Sequence, residues 1–235
     1  MKKLLILIIL LTTVVGIKAQ RDPGTFSLTP KVGVSLANLS NNDLMLGNIS
    51  LKSKYKAGFI AGMQGEYQIT SLISATLGAY YATLGNRYDD YEQVETKVVS
   101  AVNIETHNSY HDYFTTLGYV LVPVMANVYV AKGLSLQAGV QAGFLTNAKT
   151  EYDVATITIN TQTGVHTSAE MVNYNNTSKA GYKTVDFSIP IGLSYEYANV
   201  VVDARYNIGL TNISDVGLKN KNRLFTFAVG YKFDL

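Results

Sequence analysis

The sequence predicts an all-β chain: an eight-stranded antiparallel up-and-down transmembrane β-barrel of outer-membrane type. Three observations predict it. Apolar and polar residues alternate with period two in segment after segment. Short and long polar connections alternate between those segments. Beyond residue 20 no run reaches the ~18 apolar residues of a membrane helix.

The chain has 235 residues and no break in composition, which fits one domain. Its first segment is read apart from the rest. Lys2 and Lys3 precede an apolar run from Leu4 to Leu11, continued to Val15 and closed by Gly16-Ile17-Lys18-Ala19. Residues 1–19 are therefore predicted to be a secretory signal peptide cut after Ala19, and residues 20–235 the barrel domain. The apolar run is shorter than the ~20 residues that span a bilayer as a helix, which argues against an anchor. Without cysteine there is neither a disulfide framework nor a lipidated N-terminal thiol. Removing Lys2, Lys3 and Lys18 takes the formal charge from +2 to 2 − 3 = −1, so no basic nucleic-acid footprint remains.

The strands follow in order. Thr25–Leu39, Lys54–Ile69, Leu72–Gly85 and Tyr113–Val130 alternate less cleanly than the later ones. In Leu134–Thr146, Leu134, Leu136, Val140 and Phe144 share a face opposite Gln137, Gly139, Gln141 and Gly143. Val185–Tyr197, Val200–Thr211 and Arg223–Leu235 repeat the pattern. Pro30, Pro123 and Pro190 sit inside these strands, where a residue without an N–H normally marks an edge or bulge. Short links at 70–71, 131–133 and 198–199 alternate with long ones at 40–53, 86–112, 147–182 and 212–222. In an outer-membrane barrel short turns are periplasmic and long loops extracellular, so both termini are expected in the periplasm.

Side-chain chemistry sets which face points out. Eight strands enclose a bore just wide enough for side chains. Glycines, glutamines and charges fit that bore, while the Val, Leu, Ile, Phe and Tyr face needs lipid. Tyr67, Tyr195, Tyr197, Tyr231 and Phe233 are expected at the inner membrane interface, and Tyr81, Phe144 and Tyr206 nearer the outer one. Tyr119 and Tyr129 have inward parity.

Several segments resemble a known family: Pro30 to Ser40, Lys56 to Gly62 leading to Glu66-Tyr67, Tyr119 to Val124, Tyr206 to Asn212, and Gly230 to Phe233. On them the chain resembles the outer-membrane β-barrel domain proteins abundant in Bacteroidetes, including the PorT-like group. The resemblance implies outer-membrane location, an assembly-signal-like last strand and, through the PorT-like members, an accessory role in protein secretion or gliding. A shared fold does not by itself fix a task.

Lys31, Glu66, Glu196, Asp203, Arg205 and Lys232 fall on strands that are consecutive around a closed barrel, and are predicted to form one ionic network in the bore. A structural plug is the bland reading and a gated ion path the functional one. Arg205 is the expected hub, since a guanidinium can bridge several carboxylates. His107, His111 and His166 all fall in long connections. His107-Asn108-Ser109 is similar to the His-x-Ser pair of lipid A deacylases, but no third member is assignable and the segment reads as a solvated loop. Residues 160–179, rich in Thr, Asn and Ser, read as a mobile surface loop.

The predicted function is non-enzymatic: a structural or surface-interaction role through long extracellular loops, with no catalytic, cofactor or metal residue assigned. The alternatives are a secretion or gliding accessory, a narrow channel and a lipid A-modifying enzyme. Predicted partners are outer-membrane lipid and lipopolysaccharide, the barrel-assembly machinery during insertion, and a secretion-system or surface protein; nucleic acid is not among them.

Overall fold

A computed structural model describes residues 21–46, 49–99, 102–217 and 219–235; the predicted signal peptide lies outside the described residues. Eight antiparallel strands close a ring: β1 (Phe26–Ser40), β2 (Lys56–Gln68), β3 (Ile73–Arg87), β4 (Val102–Ala131), β5 (Leu134–Asn160), β6 (Val185–Tyr197), β7 (Val200–Gly209) and β8 (Lys221–Tyr231). Each pairs with its chain neighbour. The ring closes between first and last strands, with Lys31 opposite Gly230 and Leu36 opposite Phe225, and residues 233–234 prolong the pairing to Ser27 and Leu28. Closure leaves the barrel wall no unpaired edge, the condition for a sheet to sit in hydrocarbon.

The tight turns follow local chemistry. Ala198 and Asn199 both have positive φ, 48° and 67°, as a two-residue hairpin that matches strand twist requires. Gly133 turns β4 into β5 with φ 79°. These turns, the start of the described residues at Arg21 and the C-terminal residues share one end of the barrel; the long connections share the other.

The predicted alternation is observed. Val32, Phe59, Leu77, Val140, Phe187, Val202 and Phe227 are exposed on the outer surface. Ser35, Gln64, Thr76, Gln137, Asp203 and Thr226 are buried in the bore. Tyr119 and Tyr129 point inward, as their parity requires. Pro123 and Pro190 also face inward, fully buried, and Pro30 faces outward opposite Met63 within a paired strand. All three therefore lie within the wall of the barrel and not at an edge.

The long connections depart from expectation. Residues 86–112 and 147–182 are largely β-structure, not irregular loops. β4 has 30 residues and β5 has 27, whereas ~9–11 tilted residues cross a bilayer. Their far halves stay paired, from Phe114 opposite Glu151 out to Ile104 opposite Asn160. Two further strands flank them, Tyr91–Val99 along β4 and Val172–Thr177 along β5, making a four-stranded blade beyond the ring. His107 and His111 thus stand on β4, and the segment read as mobile contains the strands His166–Ser168 and Val172–Thr177. The reason is that a blade wet on both faces needs no apolar stripe. Its sequence carries little of the period-two hydrophobic signal that marks a strand against lipid.

Candidate functional site

The bore is built in two layers. Toward the short-turn end lies an ionic layer. Lys232, at the end of the chain, places its ammonium 2.8 Å from Glu66 and 2.7 Å from Glu196. Glu66 also accepts hydrogen bonds from Ser74 at 2.6 Å and Tyr129 at 2.5 Å. Lys31 lies 3.0 Å from Asp203, whose other carboxylate oxygen is 2.7 Å from Arg205. The Gln64 carbonyl braces the second of these groups, accepting from Arg205 at 2.7 Å, Tyr80 at 3.0 Å and Lys31 at 3.4 Å.

All six predicted residues lie in the ionic layer, but in two groups and not in one network, and with a different centre from the expected one. Arg205 pairs with one carboxylate, Asp203, and spends its remaining donors on Gln64 and Gln137. Its guanidinium carbon stands 5.8 Å from the centroid of the Tyr80 ring. Lys232 bridges two carboxylates instead. It comes in at the end of the barrel between Glu66 and Glu196, whereas Arg205 sits deeper, where amides and an aromatic ring surround it.

Two residues outside the predicted set complete the charge. Arg21 lies 2.6 Å from Glu196 and also pairs with Asp234, clasping the start of the described chain to the last strand. Asp186 is held apart toward the other end by Thr211 at 2.5 Å and Asn222 at 2.9 Å. Four cations (Arg21, Lys31, Arg205, Lys232) then face three carboxylates (Glu66, Glu196, Asp203) in the ionic layer, while Asp186 is held by hydrogen bonds alone. Buried charge persists when it is paired or hydrogen-bonded in this way.

Toward the long-connection end the bore is apolar. Leu39, Ile60, Leu84, Leu117, Tyr119, Leu121, Leu145 and Leu224 pack together, and Ile213 folds in from the last long connection with no exposure. Sequence reasoning missed this layer. Its parity signal was present in Leu84, Leu145 and Leu224, each on the same face as glycines and polar residues and therefore inward. Glycine makes the packing feasible: a Cβ on Gly62 or Gly78 would stand 2.7 Å and 2.5 Å from the Tyr80 ring that crosses the bore. Among the described residues the bore holds cavities of about 10 Å³ beside Lys31 and Tyr80 and beside Glu66 and Lys232, each room for about one water.

The blade is the second feature. Across its four strands runs a ribbon of tyrosines. Tyr91 stacks on Tyr110 at 4.6 Å, Tyr113 on Tyr152 at 5.1 Å, and Tyr152 on Tyr174 at 4.6 Å. Tyr88 meets Tyr113 edge-on at 5.3 Å. Part of the chain's 17 tyrosines therefore serves the blade and not the membrane interface. On the opposite blade face His107 lies 2.8 Å from Glu92 and His111 lies 2.8 Å from Asp90. The hydrogen bond from His111 holds the Asp90 carboxyl below its ordinary range. His107 has no hydrogen bond to Ser109, and among the described residues no group of three potential ligands could hold a metal ion.

A family model described as the outer membrane protein beta-barrel domain matches residues 18–215, 198 of the chain's 235 residues. The chain belongs to that family. Its exposed apolar belt accordingly faces outer-membrane lipid. No curated protein matches the chain. Among solved structures it is similar to Ail, the attachment invasion locus protein of Yersinia pestis, in complex with the heparin analogue sucrose octasulfate. The identity is 15% and the TM-score 0.42, over 90% of this chain and 99% of that one. It is also similar to Neisserial surface protein A, with 12% identity and a TM-score of 0.40 over 88% of this chain and 97% of that one. OprG of Pseudomonas aeruginosa matches with 10% identity and a TM-score of 0.38 over 92% and 99% respectively.

Proposed function

We propose that this outer-membrane barrel is a non-enzymatic mount that holds its four-stranded blade outside the cell as a contact surface for another macromolecule, with both termini in the periplasm. One observation carries the reading: the bore is filled while β4 and β5 run on past the ring and recruit two more strands. A barrel used for transport needs a path, and cavities of about 10 Å³ provide none. A barrel used as a mount needs a stiff projection. The cross-strand tyrosine pairs supply stiffness to a sheet that has no core of its own.

The orientation follows from connection length, since tight turns are periplasmic and long segments extracellular in this class of barrel. Outer-membrane lipid and lipopolysaccharide are the immediate surroundings. The last strand, with Phe225, Phe227, Val229, Tyr231 and Phe233 at alternate positions, is the segment offered to barrel-assembly machinery.

Affinity purification of the tagged barrel from native membranes tests the reading. A variant in which residues 89–111 and 150–178 are replaced by short turns should fold and lose its co-purifying partners. Partners retained by that variant would point to docking through the short-turn end, as an accessory barrel of a secretion or gliding apparatus would do, and would overturn the blade as the contact surface.

A further inference from the structure

Among the described residues, two grooves on the lipid-facing surface differ in the charge that stands beside them. One, of about 570 Å³, runs past Met63, Tyr67, Leu77 and Val124 toward the short-turn end and has no cation along it. The other, of about 470 Å³, lies over β6, β7 and β8, with Ala204 as its floor and Ile191, Leu193, Tyr206, Phe225 and Phe227 as its sides. Tyr206 and Phe225 pack at 4.3 Å, and Tyr55 joins them 6.4 Å from Phe225.

Arg223 stands at the long-connection end of this second groove. It is two residues from Phe225 on the same outward face of β8, exposed, between Asn38 of β1 and Ile208 of β7. It interacts with the Tyr55 phenol, yet forms no ion pair with a carboxylate among the described residues. Arg87, further round the same rim, spends its Nε on the Tyr55 carbonyl at 3.1 Å and is likewise without a carboxylate among the described residues. An arginine directed at lipid is unfavourable unless an anion or water meets it. A guanidinium fits a phosphate with two parallel hydrogen bonds.

We propose that Arg223 and the groove beneath it bind one lipopolysaccharide molecule, the arginine holding a lipid A phosphate and the groove one of its acyl chains. The aromatic group of Tyr55, Tyr206 and Phe225 lies where headgroup gives way to chain, the position amphipathic rings favour. Small Ala204 leaves the floor open; a larger side chain there would occupy the path of the chain. The proposal deepens the membrane reading above and rests on its orientation, because the long-connection end meets lipopolysaccharide only if it is the outer one.

The test uses the purified full-length barrel in detergent, with native mass spectrometry counting bound lipid. The probes are rough lipopolysaccharide, the same lipid after phosphatase treatment, and phosphatidylglycerol. Wild type should retain one rough lipopolysaccharide. Arg223→Ala and Ala204→Phe should each lower retention about fivefold, with Arg223→Lys between, and phosphatase treatment should cost wild type as much as Arg223→Ala does. Equal retention by Arg223→Ala and wild type would overturn the site, and equal retention of phosphatidylglycerol would overturn the assignment to lipopolysaccharide. Both substitutions face outward, so unchanged heat-modifiable mobility will show that the variants fold. Orientation is read separately, by labelling Thr163→Cys on intact cells with a membrane-impermeant maleimide. Labelling only after permeabilisation would reverse the barrel while leaving the detergent measurement of Arg223 intact.

Discussion

The Lys232 ammonium, three residues from the end of the chain, lies 2.8 Å from the Glu66 carboxylate of the second strand. Together with its 2.7 Å contact to Glu196 it ties β2, β6 and the closing strand across the bore. Neither carboxylate has solvent to fall back on, since each is about 5% exposed. Removal of the cation leaves two buried anions facing each other, with Arg21 as the remaining counter-charge for one of them. Lys232→Met is therefore expected to destabilise the barrel by about 3–5 kcal/mol. Guanidinium unfolding in detergent micelles measures it, and a loss below about 1 kcal/mol would refute the bridging role.

Arg205→Ala should cost less than Lys232→Met, about 1–3 kcal/mol. Asp203 keeps Lys31 at 3.0 Å when the guanidinium is gone, so no buried carboxylate is orphaned. The same unfolding experiment ranks the two variants. The reverse order would restore Arg205 as the centre of the network.

The wild-type barrel should show no discrete conductance steps in planar bilayers. Lys232→Ala should stay equally silent, because the apolar layer of Leu84, Leu117, Leu145 and Leu224 closes the bore beyond the charges. Steps in the wild type would contradict a sealed interior.

Tyr152 stacks on Tyr113 and on Tyr174 and meets Tyr110 at 5.6 Å, so Tyr152→Ala removes three ring pairs from the blade. At about 0.5–1.5 kcal/mol each, roughly 1.5–4.5 kcal/mol of local stability is lost. Hydrogen exchange should quicken along residues 172–177 while the ring strands keep their protection. Uniform protection in both regions would show that the stack contributes nothing.

Burial, then the neighbouring phenols of Tyr110 and Tyr113, push the Tyr91 hydroxyl up to about 12. The folded blade thus favours the neutral phenol. Its contribution is whole below the ordinary tyrosine value near 10 and disappears as pH rises through about 12. Ultraviolet tyrosinate absorbance, compared between wild type and Tyr91→Phe, should assign one late-titrating ring to this position. Titration of that ring near 10 would refute the packing.

The barrel ring was legible in the sequence because hydrocarbon imposes a strict rule. Each strand against lipid must put an apolar side chain out at every second position, so Val185–Tyr197 could be read to the residue and Val200–Thr211 to within two. The blade escaped because water imposes no such rule. The run Val154-Ala155-Thr156-Ile157-Thr158-Ile159 held a strand signal in its β-branched residues, but Glu105 to Asp112 opposite it held none.

By itself the sequence determined the number of strands in the ring, which face of each of them looks out, and that Lys31, Glu66, Glu196, Asp203, Arg205 and Lys232 turn inward, because the two-residue period fixes direction along one strand. Only the tertiary structure decided who meets whom. Closure and register brought the end of the chain to Glu66, filled the long-connection half of the bore with leucines from strands and Ile213 from a loop, and lined up tyrosines from four separate strands. Pairing across strands depends on register, stagger and barrel curvature, which no single segment encodes.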